Sequence, residues 1–206
     1  MRKFLVKLLP LPCIKLFERW LLADYHRAKR FLQHMHPDIL HAISEKKAVA
    51  IFKTAAKNVP AYKAFLAEHH LSPNQITSTA LYNAVVPETT KVNYIKKYSY
   101  EDRCINGKFP SHGNIDESSG TSGKPTNWIR SIKEENLLFK MAEFEFNYIY
   151  KAHRRNLIVL SAWSSGAWAT GIEFCQLMEH YSLVKNTDTD IPCIIQTLKT
   201  FGKDYD

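Results

Sequence analysis

The chain has 206 residues, 45% of them hydrophobic and 23% charged, and its 28 Lys and Arg against 20 Asp and Glu leave a net charge of +8. That length and balance fit one globular domain, or one and part of another, and exclude a disordered or fibrous chain. Its apolar runs fall well short of the roughly 20 residues that span a bilayer.

The charge is unevenly placed. Residues 1–35 carry eight basic side chains (Arg2, Lys3, Lys7, Lys15, Arg19, Arg27, Lys29, Arg30) and two acids (Glu18, Asp24), a net +6. Residues 36–206 carry 20 basic and 18 acidic residues, so the pI of 9.2 describes the first segment, not a basic body. Nucleic acid is therefore not an expected partner, because its binders spread a basic stripe over the folded domain. The start also imitates a signal peptide, but Lys7 and Lys15 interrupt its apolar stretch and no small-residue cleavage site follows. A cytoplasmic location is expected.

In chain order, Ile14, Phe17, Leu21, Tyr25, Ala28 and Leu32 recur at helical spacing, which predicts one amphipathic helix with a basic opposite face. That face reads either as solvated surface or as peripheral contact of residues 1–32 with an anionic membrane through Phe4, Leu5, Leu8, Leu9 and Trp20. A second helix is predicted from about Ile39 to Lys57. Asn58–Tyr62 breaks it, and a short helix runs on to about His70. Leu71–Ile76 is a turn, with Ser72 or Asn74 available as a cap, and Val86–Lys91 is another break. Residues 104–126 read as the main loop region. Ser131 and Glu134 form a capping box that opens a helix to about Lys151. Asn156–Ser161 is a short apolar strand of the kind buried on both faces. Residues 167–180 are helical, Ser182–Lys185 is a strand, and Ile191–Phe201 is a helix with Gly202 as its C-cap. The order implies an α/β fold: a helical N-terminal region, then the start of a mainly parallel layered sheet. Residues 1–35 form a basic segment, and residues 36–206 form the partial domain. The chain stops at Asp206 where a further strand is expected, so the fold reads as interrupted.

The stretch that carries chemistry is Ser118-Ser-Gly-Thr-Ser-Gly-Lys-Pro-Thr126, with five hydroxyls, two glycines and one lysine in nine positions. Glycines let backbone N–H groups approach an anion, hydroxyls add donors, and Lys124 brings a mobile positive charge. Together they suit phosphate. The spacing is not that of a Walker A loop, since only Thr121 and Ser122 separate Gly120 from Gly123 and Pro125 follows the lysine. Composition alone leaves an ordinary polar turn as the alternative.

The string itself resembles the phosphate-binding signature of the adenylate-forming (AMP-binding, acyl-CoA synthetase) enzymes, Ser-Ser-Gly-Thr-Thr-Gly-Lys-Pro-Thr, departing only at Ser122. Pro60-Ala-Tyr62 and Val86-Pro-Glu-Thr-Thr-Lys91 precede it in the order found in the phenylacetate–CoA ligase branch, which includes capsular polysaccharide biosynthesis relatives. The resemblance covers about residues 40–206. It implies an ATP-dependent acid–thiol ligase, in which ATP and a carboxylic acid give an acyl-adenylate and a thiol such as CoA then takes the acyl group. It implies that Ser118, Ser119, Gly120, Thr121, Ser122, Gly123 and Lys124 contact the ATP phosphates, with Mg2+ accompanying the nucleotide. The family's adenine-binding segment, its Mg2+-holding acid, its ribose-binding aspartate and its catalytic lysine have no counterpart before Asp206. No catalytic residue is therefore assigned, and the chain alone is expected to be inactive. The alternative from another class is a non-catalytic remnant that binds a membrane or partner through the basic helix.

Other patterns are weaker. Trp163-Ser-Ser-Gly-Ala-Trp168 follows the apolar strand, where ligands bind in open α/β sheets, but two tryptophans packing a loop explain it equally well. His34, His36, His41, His69 and His70 lack partners at metal-ligand spacing, so no metal site is expected. Cys13, Cys104, Cys175 and Cys193 form no C-x-x-C pair and read as reduced, mostly buried thiols.

Overall fold

A computed structural model describes residues 6, 8–118, 125–164 and 171–206. The chain divides into two compact units, one running to Phe109 and the other Pro110–Asp206.

The first unit is helical. The single long helix expected over Ile14–Leu32 is two, α1 (Leu11–Leu22) and α2 (Tyr25–His34). Asp24 explains the break: its backbone is extended and its Oδ1 accepts from the Arg27 N–H at 2.7 Å, so it caps a new helix instead of continuing the old one. Pro37 opens α3 (Pro37–Asn58) and Pro60 opens α4 (Pro60–Glu68), each in the first turn where its missing N–H costs nothing. The cap of α5 (Thr79–Val85) is Ser78, whose Oγ accepts from Leu81 N–H, not Ser72 or Asn74. Phe52 and Ala56 of α3, Phe65 and Leu66 of α4, and Ile76 form the core. Tyr62, Tyr82, Tyr94 and Tyr98 close around it, with Tyr94 edge-on to Phe65 at 5.8 Å.

Both upstream elements of the family resemblance serve this packing. Tyr62 stacks beside Phe65, and its hydroxyl lies 3.3 Å from that of Tyr82. Thr90 forms a reciprocal capping box with Asn93 at a single π-helical turn, Lys91–Ile95.

In the second unit the region expected to be loop contains a strand. β1 (Gly113–Glu117) pairs antiparallel with β2 (Asn127–Ser131), in register from Gly113↔Ser131 to Glu117↔Asn127. The capping box of Ser131 and Glu134 is present and opens α6 (Ile132–Ile149). β3 (Ile158–Ser161) and β4 (Leu183–Asn186) pair in parallel, with α7 (Gly171–Met178) between them in sequence. α8 (Ile191–Phe201) starts at Asp190, whose carboxylate accepts from Cys193 N–H. The expected mainly parallel sheet is, among the described residues, one parallel pair and one antiparallel hairpin. β3 is only partly covered up to Ser161, so it is not a strand buried on both faces. Of the four thiols only Cys175 is buried, and Cys13 is exposed.

Candidate functional site

The hairpin sets the ends of the glycine-rich segment. Ser118 N–H donates to Thr126 O at 3.0 Å, and Thr126 N–H donates back to Ser118 Oγ at 2.9 Å. These two bonds add a rung beyond β1 and β2 and tie position 118 to position 126. Ser119, Gly120, Thr121, Ser122, Gly123 and Lys124 lie outside the described residues. The expected phosphate-binding segment thus springs from the tip of a hydrogen-bonded hairpin. Of the expected contacts, Ser118 is placed: its hydroxyl accepts the Thr126 N–H in the rung.

On the hairpin itself stands a polar cluster that the sequence did not single out. Asn114, Asp116, Trp128 and Arg130 share one face of the hairpin, because residues opposite each other or two apart point the same way. Asp116 is 2% exposed, and its Oδ2 lies 2.5 Å from Arg130 Nη2. Arg130 also reaches Glu173 Oε2 of α7 at 3.2 Å, and Asn114 Nδ2 donates to Asp116 Oδ1 at 3.0 Å. One guanidinium therefore neutralises two acids, and the hairpin is tied to α7. Burial raises the Glu173 carboxyl above its usual range; Arg130 pulls it back, and the Asp116 charge adds to the rise.

The hairpin escaped detection because its patterning is inverted. Asn114 and Asp116 face inward, while Ile115 between them is 64% exposed. An alternation search looks for apolar residues inside, so the usable signal was an acid two residues before the loop with an arginine on the partner strand.

At the carboxyl end of β3 a cavity of about 580 Å3 opens between α6, β3 and α7. Leu138, Phe139, Phe174 and Leu177 give it apolar walls, and Ser161, Trp163 and Glu173 reach it as well. Ser161 is buried, and among the described residues its hydroxyl has no partner. Trp163 stands 59% exposed, while Trp168 lies outside the described residues. Glu173 contributes to this wall and to the Arg130 cluster, so cavity and hairpin share a residue.

Among the described residues no three His, Cys, Asp or Glu side chains gather where a metal ion could sit. The loop's own donors are hydroxyls, glycine N–H groups and one ammonium, a set that fits phosphate oxygens rather than a cation.

No family model matches the sequence, and no curated protein matches it. Among solved structures, the chain is similar to 2-hydroxyisobutyryl-CoA ligase in an open conformation, in complex with 2-HIB-AMP and CoA. The TM-score is 0.62 at 15% identity, covering 82% of this chain and 40% of that one. The same ligase in its postadenylation state, in complex with 2-HIB-AMP, gives a TM-score of 0.60 at 15% identity, covering 82% of this chain and 36% of that one. The chain thus spans well under half the length of the structures it matches, and it shares their fold over that span.

Proposed function

We propose that this chain is part of an ATP-dependent carboxylic acid-activating ligase, and that the segment from Ser118 to Lys124 is its grip on the nucleotide phosphates. The observation that carries the reading is the glycine- and hydroxyl-rich string held at both ends by the Ser118–Thr126 rung. The shared fold supports it. In the reaction a carboxylate oxygen attacks the α-phosphorus of ATP, the bond to the β-phosphate oxygen breaks, and pyrophosphate leaves with the acyl-adenylate formed. A thiol, CoA in this proposal, then attacks the acyl carbon and releases AMP. Charge grows on the departing pyrophosphate, and fixed donors with a cation lower the barrier by meeting it there. Ser119, Thr121, Ser122 and Lys124 are assigned that task, and Gly120 and Gly123 give the backbone access. Mg2+ would enter with the nucleotide and screen the same oxygens.

The acyl group is assigned to the cavity beyond β3, whose apolar walls suit a hydrocarbon acid. The buried Ser161 hydroxyl, without a partner among the described residues, suits a polar atom on it. Pro60–Tyr62 and Val86–Lys91 favour the phenylacetate–CoA ligase-like branch, as motifs in the right order.

Calorimetric titration of the full chain with ATP and with pyrophosphate tests the loop assignment. Both should bind, and Lys124→Ala should weaken each at least tenfold, by about 1.4 kcal/mol or more. Equal binding by the variant would remove the loop from the site.

A further inference from the structure

The helical hairpin formed by α1 and α2 carries an apolar stripe that stays largely in the open, although Phe17 packs edge-on against Phe31 of α2 at 5.2 Å. On α1, Ile14 and Leu21 are buried, and Glu18 between them meets Lys47 of α3 at 2.7 Å, so this side faces the unit. The other side carries Cys13, Leu16, Phe17 and Trp20, spaced i, i+3, i+4, i+7 and therefore in one stripe. All four are exposed, Leu16 by 68% and Trp20 by 53%. Leu8 and Leu9, just before the helix, are exposed as well. A helix with a solvated cationic outer face has no need of such a stripe; one that lies in an interface does.

The charges say which interface. Lys15 and Arg19, one turn apart beside the stripe, are both exposed, as is Arg30 on α2. The Arg27 guanidinium rests 4.1 Å from the centre of the Trp20 ring. The acids of this hairpin are turned to internal use: Glu18 holds Lys47, and Asp24 caps α2. An apolar stripe bordered by cations calls for an occupant that is apolar in depth and anionic at its surface. No helix among the described residues is long and apolar enough to cross a membrane. We propose that the α1–α2 hairpin docks the protein on an anionic membrane surface, with Leu16 and Trp20 entering the acyl boundary. Lys15, Arg19 and Arg30 then meet the lipid headgroups. Trp20 suits the position because its ring is apolar while its N–H stays near water.

The test is flotation of the full chain with vesicles of phosphatidylcholine containing about 30 mol% phosphatidylserine. The chain should float with them, and at least tenfold less should float with pure phosphatidylcholine vesicles or in about 0.5 M salt. Leu16→Ser/Trp20→Ser and Lys15→Glu/Arg19→Glu should each lose at least tenfold in vesicle binding. Both pairs sit on the outer surface, so both should keep the wild-type circular dichroism and pyrophosphate affinity. A wild-type chain that stays at the bottom, or variants that float as it does, would overturn the proposal. So would a vesicle-free sedimentation coefficient that drops in Leu16→Ser/Trp20→Ser, since the stripe would then be a contact between protein chains.

Discussion

Arg130 is the residue on which the second unit's polar chemistry turns. It is the cation that offsets the buried Asp116, and it reaches Glu173 at the same time. Removing one member of a buried ion pair strands the other, at a cost of about 3 kcal/mol or more. Arg130→Met should therefore lower stability in urea denaturation by that order, and adding Asp116→Asn should recover most of the loss. If the double variant is no more stable than the single one, the stranded acid is not the cause. Glu173 gives a pH signature. Its carboxyl is raised by burial, so ionising it opposes folding. That opposition is absent well below the usual carboxylate value and grows as pH rises through the folded-state value. The neutral isostere Glu173→Gln escapes it. Its melting temperature relative to the wild type should climb between about pH 4 and pH 8, and a flat difference would contradict the assignment.

Among the elements, the β1–β2 hairpin makes the sharpest demand on one residue. Gly113 has φ +155°, and a Cβ there would lie 1.9 Å from the Arg130 carbonyl oxygen across the strand pair. Gly113→Ala should destabilise by more than about 1 kcal/mol, because relief requires opening the rung that Arg130 belongs to. Amide exchange of residues 127–131 should speed up with it; unchanged exchange would mean that the strands adjust freely. This hairpin also marks where sequence reading stopped. α3, α4, α6 and α8 were legible because prolines, a capping box and periodic apolar residues punctuate them. β3 and β4 were legible as short apolar runs. The split between α1 and α2 was missed because the apolar periodicity continues straight through Asp24, whose capping bond ends the helix. β1 was missed because its inner face is polar. The Asn114–Asp116–Arg130–Glu173 cluster draws on three separate elements, so only its hairpin half, an acid before the loop and an arginine after it, left a trace in sequence, while Glu173 left none.

Over the whole molecule, apolar surface left in the open is the dominant feature. Ile191, Ile195 and Leu198 recur along α8 at helical spacing and are 66%, 47% and 48% exposed. On α6, Leu137 and Met141 stand out similarly at 58% and 52%. Stripes of this kind drive association when they face water. Light scattering of the purified chain should give a mass above 23.8 kDa that rises with concentration, and Ile195→Lys should reduce it. A concentration-independent mass at the monomer value would show that the stripes are tolerated in water. The matched ligase structures are more than twice as long as the stretch they share with this chain.

The rung between Ser118 and Thr126 treats length on its two sides unequally. Within the loop it closes, two extra glycines add only a small chain-entropy cost, a fraction of about 1 kcal/mol. A single residue inserted between Gly113 and Asp116 does something different, because strand side chains alternate. Asp116 and its neighbours would exchange faces, bringing an isoleucine to α7 and turning the acid away from Arg130. The loop can therefore drift in size over evolutionary time, while the strand leading into it is held to an even count. Natural variation in chain length should collect between 118 and 126 and be absent from 113–117.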